Sequence, residues 1–296
     1  MKKRILFIIN PISGNKRGPH IKDKIEKMVD RHHYDFSVVM TEYKGHASEL
    51  AARAVKEEVD VVVAAGGDGT INEVASSLVD SKTTLGILPI GSGNGLARHL
   101  SIPLRTDRAL ELLNAKFESF DTIDVGRAND IYFFSIAGIG YDAKVAYDFN
   151  RGKDRGFHGY FKQIVKNYFE YDSDTYRISY DNRQIERKAF FITFANSSQW
   201  GYNVRIKPTA SVKDGWLDVL ICKKPNFFIL SYVVLELFVN RIDQSKIMES
   251  FRGRNITVSS KNGRPLYLHI DGDSVEPVGT VNVDLLSAKL KVISGI

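Results

Sequence analysis

The chain has a single cysteine, so it forms no internal disulfide. That residue, Cys222, lies in the apolar run Val219-Leu220-Ile221-Cys222, where a thiol is expected to be buried and inert, as suits a reducing compartment. Long apolar runs are missing too. A membrane-spanning helix needs roughly 20 apolar residues, and the best stretch, Phe227 to Val239, contains Ser231 and Glu236 and reads as a buried helix. The first run, Ile5 to Ile9, stops at Asn10-Pro11, too short for a signal-peptide core, and reads as a buried first strand. Internal repeats, low-complexity segments and Pro/Gly/Ser-rich linkers are absent. So are two common phosphate-binding signatures: there is no Gly-x-x-x-x-Gly-Lys-Ser/Thr, and no Gly-x-Gly-x-x-Gly opens the first helix.

With 296 residues, 43% of them apolar, the chain exceeds the length at which one core stops growing, and two domains are expected. A net charge of +6 favours an anionic partner such as nucleotide phosphate, nucleic acid or anionic lipid, although a merely basic surface gives the same number. Over residues 1–125, short apolar runs (Arg4 to Ile9, Phe36 to Met40, Asp60 to Ala64, Thr84 to Leu88) alternate with amphipathic stretches (Lys22 to Arg31, Ala47 to Glu57, Ile71 to Val79). This rhythm predicts an α/β domain with a largely parallel sheet and flanking helices. Over 126–296 the texture turns to aromatic and β-branched runs with polar turns, including Ile131 to Ile136, Ala189 to Ala195, Leu217 to Ile221, Leu266 to Ile270 and Leu290 to Ile293. A β-rich second domain follows, interrupted by helices near Tyr160 to Phe169 and Asn226 to Asn240, with a last strand able to return to the first domain.

The densest local feature is Gly66-Gly67-Asp68-Gly69-Thr70-Ile71-Asn72-Glu73, set where an apolar strand gives way to an amphipathic helix. Glycines there bring backbone N–H groups close to an anion, and the helix N-terminus adds its positive end, so phosphate binding is the direct inference. The alternative is a tight turn with Asp68 or Thr70 as a cap. Two more glycine loops follow predicted strands: Asn10-Pro11-Ile12-Ser13-Gly14-Asn15 and Pro89-Ile90-Gly91-Ser92-Gly93-Asn94-Gly95. Ligands of α/β proteins bind at the carboxyl ends of strands, and three such loops there should form one edge of one pocket.

These three motifs, in this order, resemble the diacylglycerol kinase catalytic domain family, which includes bacterial soluble lipid kinases and is related to sphingosine and ceramide kinases. The resemblance runs over nearly the whole chain. It implies an ATP-binding domain like that of NAD kinases and phosphofructokinases, followed by a β-sandwich offering a lipid pocket. By the same resemblance Asn10, Pro11, Ser13, Gly14, Asn15, Thr41, Gly66, Gly67, Gly69, Thr70, Asn72, Glu73, Gly91, Ser92, Gly93 and Asn94 would contact ATP. Asp68 falls on a residue treated as catalytic in sphingosine kinases, and its change to Asn is expected to stop turnover with the fold intact. Asp142, in Gly138-Ile139-Gly140-Tyr141-Asp142, falls on a residue that contacts the lipid head group in sphingosine kinases; a helix cap is the other reading.

In His269-Ile270-Asp271-Gly272-Asp273 the family's proton-accepting glutamate is replaced by Asp273, one methylene shorter, while Asp271-Gly272 alone would read as a hairpin turn. A structural Mg²⁺ site of bacterial members falls on Val212 to Asp218; Asp214 is its remaining candidate ligand and Lys213 stands where an acid is expected. Residues 151–167 mix Arg151, Lys153, Arg155, Lys162 and Lys166 with Phe157, His158, Tyr160 and Phe161, which suits either an anionic bilayer surface or a solvated helix with an aromatic core side.

The resemblance therefore implies an ATP- and Mg²⁺-dependent lipid kinase, phosphorylating a hydroxyl of diacylglycerol or a related lipid such as a sphingoid base. Its catalysis would rest on positioning and charge stabilisation, with Asp68 or Asp273 handling the proton. Its partner would be a lipid at the inner face of the membrane, met from the cytoplasm by transient peripheral contact, with no nucleic acid; oligomeric state leaves no signal. An NAD kinase-like phosphotransferase shares Gly-Gly-Asp-Gly, and a non-catalytic nucleotide or lipid-binding regulator would also be basic. Asn72-Glu73 and the Gly-Ser-Gly-Asn loop distinguish lipid kinases from the first, and the full acidic set argues against the second.

Overall fold

The computed structural model describes residues 2–16, 18–152, 156–201, 204–226, 236 and 239–296. By internal contacts the chain divides into two units, one of residues 1–125, 201–203 and 287–296 and one of residues 126–200 and 204–286.

The first unit runs β1 (Lys3–Ile9), α1 (Ser13–Lys16), α2 (Gly18–Met28), β2 (Tyr34–Met40), α3 (His46–Lys56), β3 (Val61–Gly66), α4 (Asp68–Leu78), β4 (Thr84–Pro89), α5 (Gly95–His99), α6 (Thr106–Lys116) and most of β5 (Asp121–Ala128). Its strands lie in the order β2-β1-β3-β4, all parallel. All six residues of β3 and of β4 are buried, as expected for central strands with helices on both faces, which is why they read as unbroken apolar runs. Gly86 of β4 has no room for a side chain, because a Cβ would meet Val63 and, at 3.1 Å, Leu113 of α6. Residues 287–296 close this unit: Val292 pairs parallel with Leu85, and Gly295 N–H donates to Leu100 O.

The second unit contains β6 (Ile131–Phe133), β7 (Ile136–Gly140), α7 (Tyr141–Arg151), α8 (Gly156–Glu170), β8 (Asp174–Tyr180), β9 (Arg183–Ala189), β10 (Phe191–Ala195), β11 (Gln199–Gly201), β12 (Val204–Arg205), β13 (Leu217–Cys222), β14 (Met248–Gly253), β15 (Asn255–Ser260), β16 (Leu266–Ile270), β17 (Asp273–Val278) and the start of β18 (Thr280–Val292). One antiparallel sheet has the order β14-β13-β10-β7-β16-β17, and β18, β15, β8 and β9 pair antiparallel in a second layer. Between the layers lies an apolar core that includes Ile139, Ile192, Phe194, Val219 and Leu268 from one sheet and Ile178, Val258, Val281 and Val283 from the other. The alternation of buried with exposed or half-buried residues along β15 is the pattern of a sandwich strand. The other face of the six-stranded sheet carries Phe190, Phe191, Leu220 and Cys222 packed with Tyr168 of α8. Burial there, with the charge of Asp142 adding, pushes the Cys222 thiol above its ordinary range, which keeps it unreactive.

The single strand expected over Ile131 to Ile136 is two strands. The break at Phe134-Ser135 has a physical cause: the Asp271 carboxylate takes the N–H groups of Phe134, Ser135 and Ile136 at 2.8–3.0 Å, which removes them from the ladder. The helix near Tyr160 to Phe169 is α8, whereas the one expected over Asn226 to Asn240 falls mostly outside the described residues. No helix among the described residues is long and apolar enough to cross a membrane. Phe194 is fully buried at the sandwich centre. Phe194→Ala is expected to cost about 3–5 kcal/mol, read as a lowered midpoint in denaturant unfolding.

Candidate functional site

In the first unit, the loops after β1, β3 and β4 are fastened to one another through their backbones. A Cβ on Gly14 would strike the carbonyl oxygen of Ile90, and one on Gly91 would come within 2.5 Å of the Gly67 Cα. Gly14 also has φ +60, a left-handed conformation that side chains disfavour. Asn10 donates from Nδ2 to Thr70 Oγ1 at 3.0 Å, while its Oδ1 accepts the N–H of Ile12 at 3.1 Å. The glycines therefore serve loop-to-loop contact as well as access for a ligand.

Asp68 makes the strongest of these ties. Its Oδ2 accepts the N–H of Asn94 at 2.8 Å and its Oδ1 that of Gly95 at 2.7 Å. Asn94 has the left-handed φ of +54, which aims both N–H groups to one side. Gly93 lacks a side chain at the spot where Asp68 Oδ2 stands. Asp68 is thus a cap, though not of its own helix: it caps α5. A carboxylate offers about four lone-pair sites, so two remain for a cation or a proton. Gly67, Ser92 and Gly93 have N–H groups without a partner among the described residues, and Ser92 and Gly69 are exposed. These donors, with the start of α4, form a cradle that fits phosphate.

The other expected nucleotide residues take varied positions. Ser13 and Pro11 are half-buried in the first loop, and the side chain of Asn15 lies outside the described set. Thr41 continues the sheet, its N–H donating to Ile9 O at 2.8 Å. Glu73 faces the same loop, where its Oε1 accepts the N–H of Gly45 at 3.0 Å. Asn72 accepts from Ser76 Oγ at 3.3 Å.

In the second unit, Asp271 and Gly272 have φ of +49 and +93 and form the two-residue turn between β16 and β17. With three backbone donors on its carboxylate, Asp271 is structural. Asp273, the first residue of β17, is exposed and its side chain has no partner among the described residues. Asp142 is buried in the first turn of α7: Oδ1 accepts the N–H of Ala143 at 2.8 Å, and Oδ2 lies 3.1 Å from His269 Nε2. The pair fills the space above Gly138, which for that reason carries no side chain. His269 was missed in the sequence; its position in the run Leu266 to Ile270 read as one strand residue among others.

Asp214, the candidate metal ligand, is engaged by other partners. Its Oδ1 accepts the N–H of Trp216 and its Oδ2 lies 3.4 Å from Arg252 Nη1, while Arg252 Nε reaches Asp218 at 3.1 Å. A guanidinium occupies the position a cation would take, and no group of three or more His, Cys, Asp and Glu side chains among the described residues is placed to hold a metal. The donor set there does not fit Mg²⁺. Of the basic and aromatic stretch over 151–167, residues 153–155 and the side chains of Phe157, His158, Tyr160 and Phe161 lie outside the described set; Lys162 and Lys166 are exposed on α8.

A family model described as the diacylglycerol kinase catalytic domain matches residues 4–128, and one described as the YegS C-terminal NAD kinase beta sandwich-like domain matches residues 135–294. A diacylglycerol kinase of Staphylococcus aureus (strain JH9) is 30% identical over 285 residues, covering 92% of this chain and 87% of the relative. One from Staphylococcus saprophyticus is 27% identical over 280 residues, covering 92% and 90%. A crystal structure described as a diacylglycerol kinase from Bacillus anthracis superposes with a TM-score of 0.79 at 22% identity, over 99% of this chain and 97% of that one.

The hydrogen bonds separate Asp68, Asp271 and Asp273 by stability. Asp68→Asn sets an NH₂ group against a backbone N–H, so the expectation of an intact, unweakened fold is revised to a loss of about 1–3 kcal/mol. Asp271→Asn is expected to lose a similar amount, and Asp273→Asn to stay within about 0.5 kcal/mol of the parent. Thermal unfolding of the three variants checks this order.

Proposed function

Since the chain belongs to the diacylglycerol kinase catalytic-domain family, we propose that it transfers the terminal phosphoryl group of ATP to a hydroxyl of diacylglycerol. The observation that carries this reading is the cradle in the first unit, where N–H groups of Gly67, Ser92 and Gly93, unpartnered among the described residues, stand with the start of α4 beside the Asp68 carboxylate. Donors fixed in advance stabilise the charge that spreads over the transferred phosphoryl oxygens without reorganising. Asp68, whose carboxylate has lone pairs left beside its two backbone bonds, is the residue of the cradle that would hold Mg²⁺, and the ion would supply charge neutralisation for the transferred phosphoryl group.

Asp273 is the proton acceptor in this reading. Asp68 and Asp271 both hold backbone N–H groups, whereas Asp273 is exposed and its side chain has no partner among the described residues. As the acceptor oxygen forms its bond to phosphorus and the bond from phosphorus to the leaving diphosphate oxygen breaks, Asp273 takes the hydroxyl proton. Asp142 supports a neutral acceptor. Its carboxylate is buried and already bonded to His269 and Ala143, which leaves it poorly placed to pair with the ammonium of a sphingoid base. In this reading the protein works in the cytoplasm, touching the inner face of the membrane to reach its lipid.

Label transfer from γ-³²P-ATP to a mixed-micelle panel tests the proposal. Labelled phosphatidate in the presence of Mg²⁺ is the expected product; labelled NADP with no labelled lipid replaces it with the NAD kinase reading, and no labelled product at all leaves a non-catalytic binder. Asp273→Asn is expected to lower kcat by about 10²–10⁴-fold while Asp273→Glu stays active. Full activity of Asp273→Asn would remove that residue from the chemistry.

A further inference from the structure

The loop between β2 and α3 holds a side chain that phosphate binding leaves unused. Tyr43 is 54% exposed, yet its ring is held on two sides. One face stacks on His46, with centroids 4.6 Å apart and planes within 6°. The hydroxyl donates to Glu49 at 2.7 Å, and this acceptor keeps the phenol protonated by raising its pKa. His46 is fixed in turn, since its Nδ1 accepts the N–H of Glu42 at 3.1 Å. What remains open is the other face of a ring that cannot easily turn.

The loop's position gives that face a use. Thr41 N–H donates to Ile9 O and Asn10 N–H to Ala65 O, so the loops after β2, β1 and β3 start side by side at the same end of the sheet. From the first to the third is two strand spacings, roughly 10 Å. Glu73, in the second turn of the helix that begins at the phosphate cradle, holds Gly45 N–H and draws the Tyr43 loop alongside it. A nucleoside triphosphate seated with its phosphates on Gly67 to Thr70 carries its base a comparable distance away, in reach of this loop.

We propose that Tyr43 is the stacking platform for the nucleotide base, with its open face against the purine and His46 backing the ring. The inference rests on the nucleotide-binding part of the reading above and not on the identity of the lipid. Stacking on a π face is tolerant of the base, so Tyr43 supplies affinity and orientation, and discrimination between purines falls to other groups. A ring already held in place loses little freedom on binding.

Titration calorimetry of the full chain with Mg-ATP and with inorganic tripolyphosphate tests the assignment, because only the first ligand has a base. Tyr43→Ala is expected to weaken ATP binding by about tenfold or more, the range of base–aromatic stacking, and to leave tripolyphosphate unchanged. Tyr43→Phe keeps the ring and should bind ATP nearly as the parent does. Equal loss of both ligands in Tyr43→Ala would show a merely structural loop residue, and undiminished ATP binding would place the base elsewhere; either result overturns the proposal. If the parent chain binds neither ligand, the cradle reading fails and this inference with it.

Discussion

The Asp68 carboxylate accepts hydrogen bonds from two consecutive backbone N–H groups, those of Asn94 and Gly95, and the shape of the glycine loops depends on that tie. Successive N–H groups turned to one side by a left-handed residue make a concavity for an anion. Here the protein fills that concavity itself. The loop after β4 is thereby pinned to the start of α4, Gly91 rests on Gly67, and the first loop closes against Ile90. The N–H groups still open, those of Gly67, Ser92 and Gly93, are held at fixed positions before any ligand arrives. Charge-assisted bonds to backbone donors are among the stronger contacts a surface-facing loop can make, which suits a cradle that must not relax around its ligand.

The second unit uses the same device at Asp271. One carboxylate collects three N–H groups from the Phe134 to Ile136 break and so fixes the tip of the β16–β17 hairpin, on which Asp273 stands exposed. The motif thus holds two acids of opposite employment separated by one glycine. A further buried pair, Asp142 with His269, anchors the start of α7 to β16.

Much of this was legible in the sequence for reasons that can be named. Central parallel strands such as β3 and β4 are buried on both faces and appear as unbroken apolar runs, so the α/β half declared itself. Sandwich strands such as β15 alternate and were read as β-rich texture. The glycine loops were recognisable because they follow those strands, although phosphate access explained only part of their composition; the other part is the backbone-to-backbone contact of Gly14, Gly67 and Gly91. What was hidden depends on partners far apart in the chain. Asp68 and Asn94, Asp142 and His269, and Asp271 and Phe134 meet across 26, 127 and 137 positions, and no local pattern announces such meetings. The ion pair of Asp214 with Arg252, 38 positions along the chain, is likewise visible only in space.

The hydrogen bond from Gly95 to Asp68 also bears on how the protein ages. Asparagine followed by glycine is the dipeptide most prone to spontaneous deamidation, because the glycine nitrogen can attack the side-chain amide and close a succinimide ring. In the folded chain the Gly95 N–H is bonded to the Asp68 carboxylate and the Asn94 amide donates from Nδ2 to Gly91 O at 2.7 Å, and both bonds must be released before the ring can close. The contact that shapes the cradle therefore also shields its most perishable peptide, and isoaspartate at Asn94 becomes a chemical record of how long a molecule has spent unfolded.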